Sequence, residues 1–509
     1  MTVRLFTAPV AAGKTSACID RVRSACRERP LAPVWVCLPN AAQVNAFRQR
    51  LAQAGGALGV QVGTFRALYR EVLLAAWEPV TPLVEPLEYR LVRAILDQAA
   101  ARGELQHYLS LRDKPGFTRV LHELIRNLKR ALIEPGQFAA AVAGQGPRLE
   151  ELAVLYAAYQ RRLHDEGWID GEELAWRAMN ALERQPALCA GWALVAVDGF
   201  DHLYPAQVAF LACLGQRVPE LWVTLTYGPR GGRLAQRRFE ESLARLQADL
   251  AVESEPLPGA SVHLPPVLAH VEAHLFEPQA GTGEPGTVIA WLEAPTPPLE
   301  VRAVLRWVKG RLVSDGLAPS EVAILARNLD VYAPFLQETA QEFGIPLHLA
   351  QGLPLARNPA VAALMGLLSL PRSDRVSATV PDGRLPVRQV LQAWRSAYFD
   401  WQHCEGGGRP LGLTPEMVDH LEYAARQARV VAGLQQWEEA LSLRLQEEPE
   451  SREPDEAETP ERPQAGVPRE GWAALKQCFD RFVERITPPS EATIAEYAGF
   501  VEDLIGDDP

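Results

Sequence analysis

The first 65 residues alternate short apolar runs with helical patterns. Apolar runs of strand length occupy residues 4–8, 32–40 and 60–65, and amphipathic stretches occupy 16–29 and 41–54. Short apolar runs bounded by proline, glycine or asparagine predict buried strands. Strands that alternate with helices predict a parallel sheet covered on both faces, with ligands beyond the carboxyl ends of the strands.

Residues 66–184 carry a different pattern, long amphipathic helices with few strand-like runs, and apolar strands resume at 192–198 and 221–227. We therefore predict a first α/β lobe made of residues 1–65 and 185–250, interrupted by a helical insertion at 66–184. Within that insertion Arg126, Lys129 and Arg130 form either a basic face toward DNA or, as their helical spacing favours, a solvated face.

The rest of the chain predicts a linker, a second lobe and a helical region. Residues 251–287 are rich in proline, glycine and small polar residues, which is typical of a linker. Strand-like runs at 288–292 and 322–328 flank a helical stretch, which predicts a second α/β lobe over 288–370. Residues 371–509 are predicted to be mostly helical, with a disordered acidic and proline-rich segment at 446–466 that cannot bury a core.

Candidate chemistry begins where the first strand meets the first helix, at Gly13-Lys14-Thr15. In the P-loop pattern G-x-x-x-x-G-K-[ST], backbone amides surround phosphates, the lysine reaches the β/γ oxygens and the hydroxyl ligates Mg²⁺. Ala8 stands where the first glycine belongs, which degrades the match. We predict ATP binding by Gly13, Lys14, Thr15 and Ser16; the alternative is a helix-initiating turn that matches by chance.

A second element of this site is predicted at residues 192–198, an apolar strand that ends in Asp198. An aspartate in that place holds the Mg²⁺ of a P-loop site, so Asp198 and Thr15 are the predicted metal ligands. Gly199 stands where hydrolysing proteins commonly carry a glutamate that activates water, so the obvious general base is missing. Asp201 is predicted to cap the helix that starts near Tyr204, with a role as a distant base as the alternative.

Composition narrows the class of protein. A chain of 509 residues predicts about three domains or lobes, and a net charge of −12 argues against a surface coated in phosphate contacts while permitting a local basic groove. The 7 cysteines are scattered singly without metal-ligand spacing, which fits a reducing compartment. There is neither a basic leader with an apolar core nor a run long enough to span a bilayer. We expect a soluble, cytoplasmic protein without a membrane partner.

Several short motifs, each weak alone, follow one another in a specific order. In the first lobe they are Gly13-Lys14-Thr15 without a preceding adenine-reading glutamine motif, residues 36–40 followed by Phe47-Arg48, Gly63-Thr64-Phe65, Gly167-Trp168-Ile169-Asp170 followed by Glu173-Leu174, and Val197-Asp198-Gly199-Phe200 ahead of Pro205-Ala206-Gln207. Further along they are Glu300-Val301-Arg302, residues 322–328, Tyr332, Phe343-Gly344-Ile345-Pro346 ahead of Leu355, and Arg395-Ser396-Ala397-Tyr398-Phe399. From residue 3 to about 400 the chain resembles the N-terminal half of the B subunit of AddAB-type helicase–nucleases, relatives of UvrD-like superfamily 1 helicases.

The resemblance implies a RecA-like P-loop lobe that binds ATP, a second helicase-like lobe, and DNA held across both. It also implies a UvrD-like motor or nuclease subunit as partner and a C-terminal nuclease domain with a four-cysteine iron–sulfur cluster. These 509 residues show neither that nuclease nor its cysteines. They also lack two motifs of superfamily 1 helicases, the one that bears an arginine near the C-terminus and the one that reaches the γ-phosphate of ATP. We expect either a truncated gene product or a subunit whose remaining domains lie on another chain.

Three functional hypotheses follow. The first is an ATP- and DNA-binding subunit of a break-processing helicase–nuclease complex that is weak or inactive as a motor, because the catalytic set is less complete than the binding set. The second is an active superfamily 1 helicase ATPase completed by a partner subunit. The third is a structural scaffold with a vestigial P-loop.

The resemblance also places Gly63-Thr64-Phe65 on the path of a single DNA strand. Thr64 could hydrogen-bond a phosphate, or cap the helix that follows, since threonine is a favoured cap. Phe65 could stack on a base, although its position directly after an apolar strand favours a core role.

Overall fold

The computed structural model describes residues 2–228, 233–260, 264–350, 352, 354–370, 385–399, 401, 411–446 and 468–505. The chain divides into two compact units, residues 1–292 and 293–509. The segment predicted to be disordered, 446–466, lies outside the described residues except for Gln446. Within the described ranges, no helix is long and apolar enough to cross a membrane.

The first unit is built on one six-stranded sheet in which every pairing is parallel. The strand order is β3-β2-β4-β5-β1-β6. The strands are β1 (Thr2–Ala8), β2 (Val34–Cys37), β3 (Val60–Gly63), β4 (Leu194–Val197), β5 (Glu220–Thr226) and β6 (Ser254–Pro256). The predicted α/β fold with a parallel sheet is therefore confirmed, and the five strands predicted for this lobe are all present.

Eleven helices are described in this unit. They are α1 (Lys14–Glu28), α2 (Ala41–Gln53), α3 (Phe65–Ala75), α4 (Glu85–Ala101), α5 (Pro115–Arg130), α6 (Pro135–Val142), α7 (Pro147–Asp165), α8 (Glu173–Arg184), α9 (Pro205–Gly215), α10 (Arg237–Leu250) and α11 (Pro266–His274). Helices α3 to α8 follow β3 and precede β4, as the helical pattern there predicts.

Helices cover both faces of the sheet because successive strand residues point to opposite sides. In β2, Val34 and Val36 join the core formed with α1 and α2, whereas Trp35 and Cys37 join the core formed with α3, α8, α9 and α10. The same alternation divides the residues of β4 between the two cores. Because all pairings are parallel, β1, β3 and β4 end at the same edge of the sheet.

The helical insertion splits into two parts. Helices α3 and α8 pack on the sheet, while α4, α5 and α7 bury their own core around residues such as Leu96, Leu121 and Tyr156. The segment predicted as a linker contains the short edge strand β6 and helix α11. A three-residue strand of Ser, Glu and Pro has no apolar pattern, so no signal in the sequence marks it. The finer predicted domain boundaries stay a prediction.

The second unit contains helices and no strand among its described residues. Its helices are α12 (Pro297–Ser314), α13 (Leu329–Phe343), α14 (Pro359–Leu368), α15 (Val387–Trp394), α16 (Pro415–Gln427), α17 (Leu434–Gln446), α18 (Arg469–Ile486) and α19 (Ile494–Ile505). A core rich in aromatic side chains, among them Trp394, Trp437 and Phe479, joins α14 to α19.

The strands expected for a second α/β lobe are therefore a wrong prediction for the described residues. Residues 288–292 and 322–328 adopt no strand, although both have the right composition. Alternate residues of the second run do differ in burial, since Ile324 packs against α12 and α13 while Leu325 is 93% exposed. A strand needs a neighbour for its backbone groups, and within the described residues no strand stands beside either run.

Candidate nucleotide site and the adjoining cavity

The predicted phosphate cradle lies between β1 and α1. Gly13 has φ of 84° at the start of α1, a left-handed conformation that glycine adopts without strain, and Ala11 two residues earlier has φ of 58°. No described side chain caps the amino end of α1, and its first turn has no acidic residue. Open amides at a helix N-terminus favour an anion, so the loop has the backbone geometry that phosphate binding needs.

Ala8, which replaces the first glycine of the pattern, is the last residue of β1. It pairs with Thr226 of β5 and is buried. Because a strand residue needs no glycine-specific conformation, an alanine is accommodated at this position without distorting the loop. The departure from the motif is therefore compatible with the fold.

Lys14 reaches back over the loop. Its Nζ donates hydrogen bonds to the carbonyl oxygens of Pro9 at 2.7 Å and Ala8 at 3.2 Å. Burial lowers the pKa of Lys14, and the charge of Asp198 opposes that shift. A cation held by two neutral carbonyls, and partly stripped of water, is well placed to exchange these partners for phosphate oxygens.

Asp198 follows β4 and is 2% exposed. Its Oδ2 accepts a 2.7 Å hydrogen bond from Thr15 Oγ1, and its Oδ1 accepts a short one from Thr224 Oγ1. The two predicted metal ligands are thus in direct contact. A carboxylate and a hydroxyl are the oxygen ligands that Mg²⁺ takes, so the donor set fits that ion. Sequence reasoning missed Thr224, although a polar residue inside the apolar β5 run is a usable signal.

Gly199 also has a special conformation, with φ of 81°. A Cβ at this position would stand 2.5 Å from Oε1 of Gln43. The positive φ opposes a residue with a side chain here, whereas the Gln43 amide lies at the end of a flexible side chain and can move aside. The predicted capping role of Asp201 is wrong, because α9 begins at Pro205 with Tyr204 at the N-cap, and Gln207 Oε1 accepts the backbone N–H of Tyr204.

A cavity of about 260 Å³ opens beside this edge of the sheet. Its lining includes both predicted DNA contacts, Thr64 and Phe65. Thr64 is the N-cap of α3, but its side chain makes no capping hydrogen bond. Phe65 is 5% exposed, and its ring packs edge-on against Phe200 at 5.2 Å. Thr64 therefore has a hydroxyl available to a ligand, whereas the Phe65 ring is engaged in the core.

The described lining of the cavity also carries three arginines, Arg66, Arg126 and Arg130, against one acid, Glu172. Of the three basic residues weighed together on α5, the outer two thus face a cavity. Lys129 does not, since it is fully buried, with Nζ 2.7 Å from Asp170 Oδ2 and 2.8 Å from Glu173 Oε2. Sequence spacing alone could not separate Lys129 from its neighbours, because the two acids that pair with it lie more than 40 residues away.

A protein-family model and individual relatives point to the same kind of protein. Residues 7–243 match the protein-family model described as "ADDB, N-terminal". The chain is 26% identical over 404 residues to the B subunit of the ATP-dependent helicase/deoxyribonuclease of Symbiobacterium thermophilum, covering 73% of this chain and 34% of that protein. The corresponding subunit of Moorella thermoacetica is 27% identical over 406 residues, covering 74% and 35%, and that of Geobacillus kaustophilus is 24% identical over 431 residues, covering 78% and 36%. The matched region therefore spans about a third of the length of these relatives.

Proposed function

The chain belongs, through its N-terminal region, to the AddB family, the B subunits of ATP-dependent helicase/deoxyribonucleases, and from this premise we propose that it is an ATP- and DNA-binding subunit of a helicase–nuclease complex that processes DNA double-strand breaks in recombination and repair. The observation that carries the nucleotide part is the convergence of Lys14, Thr15 and Asp198 at the carboxyl edge of one parallel sheet. Its partners are DNA and a UvrD-like motor or nuclease subunit.

Each residue of the nucleotide site has a distinct task. Lys14 and the amides of Gly13, Thr15 and Ser16 hold the phosphates, and Thr15 with Asp198 holds Mg²⁺. When bound, Mg²⁺ neutralises charge on the phosphate oxygens. Thr224 orients the Asp198 carboxylate through its hydrogen bond to Oδ1, so that Oδ2 faces Thr15.

Hydrolysis at this site is slow or absent. Gly199 supplies no carboxylate to position a water, and its backbone conformation opposes a residue that could. Loss of one charge-stabilising or water-positioning group typically costs orders of magnitude in phosphoryl transfer, whereas binding depends on the phosphate cradle and the Mg²⁺ ligands and does not need that group. The chain therefore binds ATP as a ligand and hydrolyses little of it.

The DNA part of the proposal is supported by the cavity. It lies beyond the carboxyl ends of β3 and β4, the edge at which open parallel sheets bind ligands, and it carries a net positive lining. Thr64 contacts a phosphate of the strand there. Phe65 supports the site from the core beneath it.

The test measures nucleotide affinity and turnover separately on the full chain, with and without Mg²⁺. We expect wild-type protein to bind ATP with little turnover, and Lys14→Ala to bind about a hundredfold more weakly, since charge-assisted contacts to phosphate are lost. Lys114→Ala removes an exposed lysine at the start of α5 and is the matched control. Complete absence of nucleotide binding would reject the proposal, and so would vigorous DNA-stimulated turnover by this chain alone.

The alternative, an ATPase completed by another subunit, is tested in the same assay. If the ATP bound here is only a ligand, the complex with a UvrD-like motor subunit should hydrolyse ATP at the same rate with the wild-type chain and with Lys14→Ala. Turnover that requires Lys14 would favour the completed ATPase.

A further inference from the structure

The two cavity arginines on α5 share the carboxylate of Glu172, the acid that lines the cavity with them. Glu172 Oε1 lies 3.5 Å from Arg126 Nε and 3.0 Å from Arg130 Nη2. Glu123 also approaches them, but it is 52% exposed and no closer than 3.5 Å to either guanidinium. Arg126 and Arg130 are 27% and 19% exposed, so both are partly withdrawn from water.

An anion suits this arrangement better than the carboxylate alone does. Two guanidiniums present about ten N–H donors in fixed directions, and the Glu172 and Glu123 carboxylates together cannot satisfy all of them. Phosphate offers more oxygens in a geometry that guanidinium pairs match. The Arg130 guanidinium also lies 4.9 Å from the centroid of the Tyr204 ring, which is 37% exposed at the cavity. A basic pair beside an accessible aromatic ring is typical of single-strand sites.

We propose that Arg126 and Arg130 form a phosphodiester site for single-stranded DNA on the helical insertion, and that Glu172 closes this site by occupying both guanidiniums until a phosphate displaces it. This inference rests on the proposed DNA-binding function. It adds residues from α5 and the start of α8 to a site otherwise built from the sheet edge.

Displacement of Glu172 is local. Glu172 precedes α8 as its N-cap residue, but its side chain makes no capping hydrogen bond. Its neighbour Asp170 holds the segment instead, since Asp170 Oδ1 accepts the backbone N–H groups of Glu172 and Glu173 and Oδ2 is paired with buried Lys129. The Glu172 side chain can therefore leave the arginines while the backbone that carries it stays fixed.

The experiment titrates a labelled oligothymidylate against the full chain by fluorescence anisotropy at several salt concentrations. Glu172→Gln removes the competing charge and should tighten strand binding about three- to tenfold, the scale of one partly buried ion pair. Arg130→Gln should weaken binding by a similar factor and lower the slope of log affinity against log salt by about 0.7. The cost of Arg130→Gln should be larger in the Glu172→Gln background, where the arginine no longer has to break a pair first.

Matched controls lie on the same two helices. Arg119→Gln removes an exposed charge from α5 outside the cavity, and Glu183→Gln does so on α8. Inorganic phosphate, blunt duplex and unlabelled single strand are added as competitors of the labelled oligothymidylate. If the duplex displaces the labelled oligothymidylate as effectively as the unlabelled single strand does, the single-strand assignment is overturned. If Glu172→Gln does not fold, the comparison of Arg126→Gln and Arg130→Gln with Arg119→Gln replaces it.

The outcomes distinguish the arginine site from the proposed function. If wild-type protein binds the strand and Glu172→Gln and Arg130→Gln behave like their controls, the arginine site is rejected while the proposed function stands. If wild-type protein binds no strand at all, both are rejected. A merely structural ion pair predicts a lower melting temperature in both variants with unchanged strand affinity and salt slope.

Discussion

Thr15 and Asp198 are 183 residues apart in sequence, and the Thr15 hydroxyl donates a 2.7 Å hydrogen bond to Asp198 Oδ2. The contact arises because β1 and β4 both end at the same edge of the parallel sheet, with β5 between them. The intervening strand contributes Thr224, which binds the other carboxylate oxygen. Both oxygens of a nearly inaccessible carboxylate are thus satisfied by threonines, one of which lies in the first turn of the helix that follows the phosphate loop.

Thr15→Val should weaken Mg²⁺-dependent ATP binding about tenfold, because it removes a hydroxyl ligand and one orienting partner of Asp198 while keeping the side-chain volume. Binding of ATP in the presence of a chelator should stay close to that of the wild type. Calorimetry with and without Mg²⁺ measures both quantities. Thr118→Val is the matched control, since the buried Thr118 hydroxyl has no hydrogen-bond partner among the described residues. Equal Mg²⁺ dependence in Thr15→Val and wild type would remove Thr15 from the metal site.

Gly199→Ala should destabilise the first unit by about 1–2 kcal/mol, the cost of a left-handed conformation for a residue with a Cβ. The Gln43 amide can move away from the added methyl group, so Gln43→Ala in the same chain should restore little of the melting temperature. Gly199→Glu places a glutamate directly after Asp198, where hydrolysing proteins commonly carry one. We expect this variant to hydrolyse ATP no faster than the wild type. Appreciable turnover by Gly199→Glu would show that the backbone adapts and that the glycine alone prevents hydrolysis.

The parts of this structure that could be predicted from sequence are those set by local pattern. Apolar runs such as 34–37 and 194–197 have to be buried between layers, so their strands were predictable, and the position of Asp198 followed from the end of one of them. The partners of Thr224 and Glu172 could not be assigned in this way, although the polar Thr224 inside an apolar run is itself visible in the sequence. Their contacts depend on which distant side chains the fold brings opposite them, and no local pattern encodes that neighbourhood.

The two strands expected for the second lobe are absent from the described residues for a related reason. Residues 322–328 have the alternation and composition of a strand, and Ile324 does pack inward against α12 and α13. Such a composition favours a strand only where a neighbouring strand can pair with the segment. The described residues provide no such neighbour for 322–328. Lys129 is the converse case, because a lysine at helical spacing on a charged face predicts a solvated side chain, whereas two acids from around α8 hold it fully buried.

Glu151 should give the helical insertion a characteristic acid sensitivity. Burial acts to raise the pKa of Glu151, but hydrogen bonds from the backbone N–H groups of His107, Tyr108 and Gln106 outweigh it and lower that pKa. A carboxylate with a lowered folded-state pKa stabilises the fold fully above its unfolded value of about 4.3 and loses that contribution as the pH falls through the folded pKa.

Glu151→Gln should therefore lower stability at pH 7 by about 1–3 kcal/mol, because the amide nitrogen replaces a carboxylate oxygen and cannot accept a hydrogen bond from the backbone N–H that this oxygen accepts in the wild type. The difference from the wild type should shrink steadily as the pH falls below about 4. Thermal melting followed by circular dichroism at pH 7 and below pH ~4 tests this. Glu150→Gln is the neighbouring control, since Glu150 is exposed and accepts a hydrogen bond from the backbone N–H of Gly144. A difference that persists undiminished at acid pH would mean that packing, and not the charge, is what Glu151 contributes.

Thr64→Ala should separate ligand binding from helix capping. Thr64 is the N-cap of α3 without a side-chain cap, so its loss should leave the melting temperature nearly unchanged while single-strand affinity falls about two- to fivefold, the value of one neutral phosphate contact. Thr414→Ala is the matched control, because the Thr414 hydroxyl accepts the Met417 N–H at 3.3 Å and caps α16. That variant should lower stability by about 1 kcal/mol and leave strand affinity alone. If Thr64→Ala instead lowers the melting temperature and leaves strand affinity and its salt slope untouched, Thr64 is a structural cap and the strand does not pass over the end of β3.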